Sequence, residues 1–586
     1  MSRPPHQYSR GDPELADLAR RSGSQILRTF LPNQTADLRG SIYKVSDWSA
    51  AVPLRVDEES VRRALLREIQ PWSIAGTDGG LTGDLFGRKP LKVVELDEDG
   101  GVAVERFPRV WLCPTCKRIG KDSSRRCPCG STRWGQLHFL GFHKCGAVVE
   151  PRIRRCPVHD DVKMISPKSA KAADIRFACP VCDTTTMAGL GFVKCACGDG
   201  NITWNVHKSR SVYTPRGMAM INPASPDKLQ AILGPGGSGR ALMWLVEGMT
   251  AMDPMRMVAS STKAELIKTL MSNGLTQELA EAMAAQAEAA GQVGQSPVEA
   301  ELATLSDSDR EAAGHDAVSI ATATYDSRTP SRRLEAPTES ELAEVYSANY
   351  PAALERARLF EVDLVERFPI LNAMYGYTRG GNGLGEDRLC TFRDKRGAYR
   401  LYGDLAETEA LLIRLEPVRT ARWLEGRGHS LGIWDDSSDA SARAAILRSA
   451  SIPPPGDEPA QATAGSDLLK LIHSYSHRLM RLTSVYAGID RDSLSEFLLP
   501  LNLAFFMYAT PKGDFVLGGM QSVFESNLDE LLGSFVDAER RCPLDPGCSR
   551  GSGACSGCLH VGEPSCRLFN TYLDRQTLFG QGGYLD

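Results

Sequence analysis

Two stretches of the chain carry the same cysteine spacing, and no other feature restricts the fold as much. Cys113, Cys116, Cys127 and Cys129 read C-x2-C-x10-C-x-C, and Cys179, Cys182, Cys195 and Cys197 read C-x2-C-x12-C-x-C. Two tight turns facing each other across a short hairpin bring four soft donors to one point, the geometry that a tetrahedral zinc ion requires. Each set is expected to hold one structural zinc. Between them, His143-x-Cys145 is followed ten residues later by Cys156-x2-His159. This is the ribbon spacing in reverse order, with histidines at the outer positions, and it is a third expected site, with His138 as the alternative to His143.

Fifteen of the sixteen cysteines fall in two clusters, at 113–197 and 542–566. In a reducing compartment such clustering means metal rather than disulfides. The first twenty residues lack an apolar signal-peptide core. The most apolar run, residues 498–509, is interrupted by Pro500 and Asn502 and is too short to span a bilayer. A cytoplasmic protein with no membrane partner is expected. The C-terminal cluster reads Cys542-x5-Cys548-x6-Cys555-x2-Cys558-x7-Cys566, and five cysteines over-fill one tetrahedral site. The favoured set is Cys542, Cys548, Cys555 and Cys558, with Cys566 as a substitute. The alternatives are a second ion involving His560, or an iron–sulfur cluster on four of the thiolates. Three to four zinc ions per chain follow. Sites with four protein ligands are closed and serve folding rather than catalysis.

The net charge of −4 conceals a polarised distribution. Residues 106–216 contain 20 Lys/Arg and 7 Asp/Glu, a formal +13, which leaves −17 for the rest of the chain. Arg118, Lys121, Arg125, Arg126, Arg133, Arg152, Arg154 and Arg155 stand beside the expected ligands, with Trp134, Phe139, Phe142, Phe177 and Trp204 interleaved. Cations beside aromatics suit single-stranded nucleic acid, where phosphates are neutralised and bases stack. Two competing assignments are that the aromatics form the small cores of the ribbons and that the basic island docks on an acidic protein surface.

A chain of 586 residues with 42% hydrophobic and 24% charged residues is expected to be soluble, globular and multi-domain. The expected fold class is α+β, with a zinc-ribbon array and a separate C-terminal zinc-binding domain. Composition shifts suggest five segments: 1–105, mixed α/β; 106–216, the ribbons; 217–350, helical with a flexible linker; 351–465, mixed α/β; and 466–586, the C-terminal domain. Asp12-Pro13-Glu14 is read as a helix start leading into Leu15 and Leu18. Strands are predicted at 92–96 and 411–415, and helices at 241–246, 263–290 and 339–368. A glycine-rich break at 234–239, a mobile linker at 291–337 and a Pro/Gly/Ala-rich break at 449–466 separate them. An amphipathic helix is predicted from Leu468 through Leu479, and a turn at Pro511-Lys512-Gly513-Asp514.

Two motifs fall short of catalysis. Residues 234–240 have the glycines of a phosphate loop, but Arg240 and Ala241 replace the lysine and Ser/Thr that phosphate and magnesium require. His473-Ser474-Tyr475-Ser476-His477 places two histidines at i and i+4, but Ser474 stands where a zincin has glutamate. These histidines are expected to pack in the core or contact a partner. A metal-dependent hydrolase built on them is the third-ranked reading.

The string from His473 to Leu479, the run Met507-Tyr508-Ala509-Thr510, Gly518-Gly519-Met520, the cysteine cluster and Asn570-x2-Leu573-Asp574-Arg575 resemble the helicase-associated MrfA-type zinc-binding domain family. The stretch from Ser24-Gln25-Ile26 to Pro32-Asn33, the upstream cysteine pairs and Gly376-Tyr377-Thr378-Arg379 are similar to the DrmB branch of that group, from the DISARM anti-phage defence system. The family shows Pro-Gly where Pro32-Asn33 stands, and phenylalanine at the position of Tyr377. The resemblance implies a non-enzymatic subunit paired with a DrmA-like helicase or translocase, engaging DNA with single-stranded or free ends and restricting phage DNA. The rival reading is a zinc-stabilised protein–protein scaffold without direct DNA contact.

Overall fold

The computed structural model describes residues 14–16, 26–27, 29–48, 51–96, 101–120, 123, 125–166, 172–221, 226–233, 237–249, 263–272, 274–289, 302–336, 341–454, 458–510, 517–537, 541–551, 553–562, 565–566, 568 and 570–586. It is mixed α/β, with several small sheets and many helices. The chain forms two compact units: Met1–Ala219 with Leu371–Leu405, and Met220–Ile370 with Ala406–Asp586. The five segments inferred from composition therefore regroup. Residues 106–216 fold with 1–105 and 371–405, and the 465/466 boundary falls inside the helix Ala464–Tyr486. Pairing between strands distant in sequence drives this, and composition does not register it.

In the first unit a four-stranded antiparallel sheet runs in the order Glu14–Ala16, Val102–Arg106, Ser41–Trp48, Thr35–Leu38. Tyr43, Val45 and Trp48 on the strand Ser41–Trp48 pack into one core, with a register shift between Val45 and Asp47 moving the alternation by one residue. The helix expected from Glu14 is instead a strand, with Leu15 opposite Ala103. Tertiary pairing overrides the local cap signal. Asp12, Pro13 and Leu18 lie outside the described residues. The predicted strand at 92–96 is present as Leu91–Leu96, parallel to residues 399–402.

Arg379 ties this unit together. It is 1% exposed and donates to three backbone carbonyls: Gly146 through Nε at 3.0 Å, Asn33 through Nη2 at 2.9 Å, and Val212 through Nη1. Its guanidinium lies over Tyr377 and Tyr213, whose rings stack 4.6 Å apart. Asn33 has φ +65, a left-handed conformation that asparagine tolerates and glycine prefers.

In the second unit, residues 410–414 pair antiparallel with Ala504–Ala509, which pairs with Leu494–Leu499. The helix Ala464–Tyr486 packs here. Thr463 and Ser466 close a capping box at its start, and Leu468, Leu471, Ile472 and Leu479 are buried, as the amphipathic pattern predicts. Tyr475 stacks on Phe535 at 4.3 Å. A buried charge network fixes the neighbouring strands: Asp363 accepts from Arg328 at 2.8 Å and Arg414 at 2.9 Å.

Three predicted elements change. The 263–290 helix is two helices, Lys263–Ser272 and Gln277–Ala289. The expected linker at 291–337 contains the helix Asp307–Thr324, capped by Ser306, because small residues such as Ala313, Ala317 and Ala321 let it pack closely without large apolar side chains. Helical structure after 339 ends at Arg356, and Leu359–Thr378 is a strand. Within the glycine-rich break, Gly237 opens the helix Gly237–Val246. The turn at 511–514 lies outside the described residues. Among the described residues, no helix is long and apolar enough to cross a membrane.

Replacing Arg379 with methionine takes the donor from the buried Val212 carbonyl, at roughly 1–3 kcal/mol, and from the partly buried carbonyls of Gly146 and Asn33, which water can reach. The first unit should lose about 1–3 kcal/mol of stability, measured as faster amide exchange in peptides covering residues 29–48 and 143–147.

Candidate metal centres

Six turns in residues 106–216 present donors, and they are of two kinds. In the longer kind, Cys113, Cys156 and Cys179 start a turn closed by a bond from the N–H four residues on: Lys117 to Cys113 O, Asp160 to Cys156 O and Asp183 to Cys179 O, at 2.9–3.0 Å. In the shorter kind the closing N–H is three residues on: Gly130 to Cys127 O, Gly146 to His143 O and Gly198 to Cys195 O, at 2.8–3.0 Å. Gly146 has no room for a side chain. Its φ is +95, and a Cβ there would stand 2.5 Å from Cys390 Sγ.

The first centre joins one turn of each kind, on the residues the spacing indicated. Cys113 Sγ lies 3.6 Å from Cys129 Sγ, and Cys116 Sγ 3.4 Å from Cys127 Sγ. The other two depart from expectation. Cys195 and Cys197 do not join Cys179 and Cys182 but face His143 and Cys145. Cys145 Sγ is 3.5 Å from Cys195 Sγ, and Cys197 Sγ is 3.5 Å from His143 Nδ1. Cys179 and Cys182 instead face Cys156 and His159. Cys156 Sγ is 3.9 Å from Cys182 Sγ, and His159 Nδ1 is 3.6 Å from Cys179 Sγ. His143 rather than His138 supplies the imidazole. Short turns pair with short, and long with long.

Strand pairing causes the exchange. Phe139–Phe142, which leads into His143, pairs antiparallel with Thr203–Val206, which leaves the Cys195–Gly200 turn. Inside that loop, Lys163–Ile165 leaves the Cys156 turn and pairs with Arg176–Ala178, which leads into Cys179. One hairpin is nested within the other, so the outer turns meet and the inner turns meet. Here x meets x and x2 meets x2, whereas the first centre joins x2 with x, so the spacing of a turn does not announce its partner.

In all three centres the first donor of each turn is buried and the second lies nearer solvent. The sulfurs are too far apart for disulfides, which need about 2.05 Å, and all sixteen cysteines are free. A zinc tetrahedron with Zn–S near 2.3 Å has S···S edges of about 3.8 Å, close to the distances here. Within each group the thiols are driven apart in acidity. Burial raises Cys113, but the backbone N–H groups of Cys116 and Thr115 outweigh it and hold the thiol down to about 6; burial pushes Cys127 up to about 12. The Thr184 hydroxyl and N–H hold Cys182 down to about 6, while burial raises Cys179. One thiolate forms readily, and its charge opposes the next unless a cation joins them.

In the second unit Cys542, Cys548, Cys555 and Cys558 form a fourth group. Cys542 Sγ is 3.4 Å from Cys555 Sγ, and Cys558 Sγ is 3.7 Å from both Cys548 Sγ and Cys555 Sγ. Asp545 accepts from the Cys542 N–H at 2.9 Å and is gripped by Arg575. Arg481 donates to the carbonyls of Ser556, Gly557 and His560. Neither Cys566 nor His560 joins this group. Cys566 lies with His473, His477 and Glu496 in a fifth cluster. The sequence placed the two histidines in the core or against a partner; they are in the core, and neither Cys566 nor Glu496 was associated with them. These groups of four can each hold a metal ion, and the Cys/His sets suit zinc.

The interleaved aromatics are structural. Phe177, Phe139 and Trp204 pack with Ile119, Val162, Ile175 and Leu190, and Phe142 with Leu140 and Val212. Trp134 covers Gly120 and donates to Arg125 O at 2.7 Å. Of the basic residues, Arg118 is bound to Asp161 at 2.9 Å, and Arg155 to Asp160 at 3.0 Å and to Ile119 O. Arg125, Arg126, Arg133, Arg152 and Arg154 are exposed. Lys121 lies outside the described residues.

Residues 22–214, which include all three centres of the first unit, match the family described as a domain of unknown function, DUF8724. No curated protein matches the chain.

The nested arrangement is tested by metal counts on two double variants. Cys145→Ser with Cys195→Ser should remove one equivalent of metal, because both belong to one centre. Cys179→Ser with Cys195→Ser should remove two. A sequential arrangement of the ribbons gives the opposite result, two and one.

Proposed function

We propose that the protein is a DNA-engaging accessory subunit of a helicase or translocase, with zinc at its Cys/His centres. The observation that carries this reading is the cationic surface of residues 106–216. The segment holds a formal +13, and five exposed arginines, Arg125, Arg126, Arg133, Arg152 and Arg154, stand on or beside the metal-binding turns. Turns held by four donors keep those charges at fixed spacing without a large apolar core. Phosphate neutralisation with counterion release is the interaction such a surface makes. The packing of the aromatics into ribbon cores favours backbone contact over base stacking.

The C-terminal resemblance to the helicase-associated zinc-binding family supports a partner motor, a DrmA-like helicase or translocase that supplies ATP hydrolysis. In that setting the chain works in the cytoplasm as a non-enzymatic subunit of an anti-phage complex and acts on DNA with single-stranded or free ends. The centres stabilise and orient; the motor moves the DNA.

The expected behaviour is a steep salt dependence of DNA affinity. Five phosphate contacts on duplex predict a log–log slope of about −4.5, read by fluorescence anisotropy of a labelled oligonucleotide. Reversing Arg126, Arg133 and Arg154 to glutamate should abolish binding while the metal content and motor complex persist. Retained DNA binding with loss of the complex would support the protein scaffold instead.

A further inference from the structure

The fifth cluster is separate from the cysteine-only group beside it and is built from three parts of the second unit. His473 and His477 come from adjacent turns of the helix Ala464–Tyr486, with ring centroids 4.3 Å apart. Glu496 comes from the strand Leu494–Leu499, and Cys566 from the C-terminal segment. His473 Nε2 lies 3.1 Å from Glu496 Oε1, His477 Nε2 3.2 Å from the same oxygen, and Cys566 Sγ 3.3 Å from His473 Nε2. The four donor atoms lie within 4.8 Å of one another, and no residue of the four is more than 2% exposed.

The surroundings fix the direction of each donor. His477 Nδ1 is 2.9 Å from Leu559 O. A ring nitrogen facing a carbonyl carries the proton, so Nε2 presents a lone pair to Glu496. His473 Nδ1, on the other side of its ring, is buried without a hydrogen-bond partner among the described residues. Glu496 Oε2 accepts from Ser476 Oγ at 2.5 Å, which leaves Oε1 for the cluster. Cys566 Sγ accepts from the Asn570 N–H at 3.2 Å. The outward-facing atoms of His477, Glu496 and Cys566 are thus occupied by partners, and the inward-facing ones are acceptors aimed at each other. Acceptors crowded together without water are unfavourable unless a cation lies between them. Outer hydrogen bonds that orient imidazole and carboxylate donors are the normal companions of a metal site.

We propose that His473, His477, Glu496 and Cys566 bind a fifth, structural divalent ion of the zinc class. One carboxylate and one thiolate neutralise a 2+ charge, so the centre has no net charge where none is tolerated. Zinc bonds of about 2.0–2.3 Å place tetrahedral donors roughly 3.3–3.7 Å apart, near the separations found here. Four protein donors leave no open position, so the ion is a staple and not a reaction centre. It joins the long helix, the strand Leu494–Leu499 at the edge of its sheet and the C-terminal segment. The serine that replaces glutamate after His473 excludes the zincin arrangement, but the helix still offers two imidazoles on one face, and Glu496 arrives from the strand instead.

The test is metal quantification on the full-length chain purified without chelator. Five equivalents are expected, falling to four in Cys566→Ala and in Glu496→Gln, which keeps the side-chain shape. Four equivalents in the native chain, unchanged in both variants, would overturn the assignment. Cadmium NMR of the exchanged native protein reads the donors without a variant. One resonance well upfield of the thiolate-rich centres is expected, and its absence, with the thiolate-rich signals present, would leave a metal-free ion-paired core.

Discussion

Acceptor atoms brought together by the fold, at least two of each four on buried residues, are the constraint on which both units depend. Thiolates, imidazole lone pairs and a carboxylate do not lie within 4 Å of each other in a dry or half-dry site unless positive charge is supplied. In the first centre backbone N–H groups prepare one donor, Cys113, burial resists the next, Cys127, and a cation would reconcile them. The lowered pKa of Cys113 and Cys182 beside the raised pKa of Cys127 and Cys179 expresses this tension.

The consequence for the first unit is economy of core. Several strands near its centres are two to four residues long, and the apolar clusters behind them are small. Aromatic side chains that looked available for stacking on bases are used to fill these clusters. The arginines, too long and too strongly hydrated to join them, remain outside. Arg379 is buried, as are Arg62 and Arg216, and three carbonyls and two tyrosine rings replace its water.

Much of this was legible in the sequence, and the limits have physical causes. Donor identity follows from local spacing, so the first ribbon and the C-terminal four-cysteine group were readable residue by residue. Partnership between turns depends on strand pairing across 50 residues in the case of Cys145 and Cys195, which spacing within a turn does not encode. The amphipathic helix was visible because its large apolar residues recur on one face. The helix Asp307–Thr324 was not, because its buried surface is largely alanine, glycine and threonine, which resemble a linker by composition. Glu496 escaped notice because one acidic residue in an apolar strand has no motif around it. Only the two histidines and an unassigned cysteine hinted that something would meet them.

The nesting of one hairpin inside another makes the array indivisible. A chain cut at any bond between His159 and Cys179 separates the donors of two centres at once, the inner pair and the outer pair. An isolated ribbon can be copied, lost or transplanted alone; these two cannot. Gene duplication, truncation or domain grafting in this region must therefore carry the whole span from His143 to Cys197 or leave both cations without a seat.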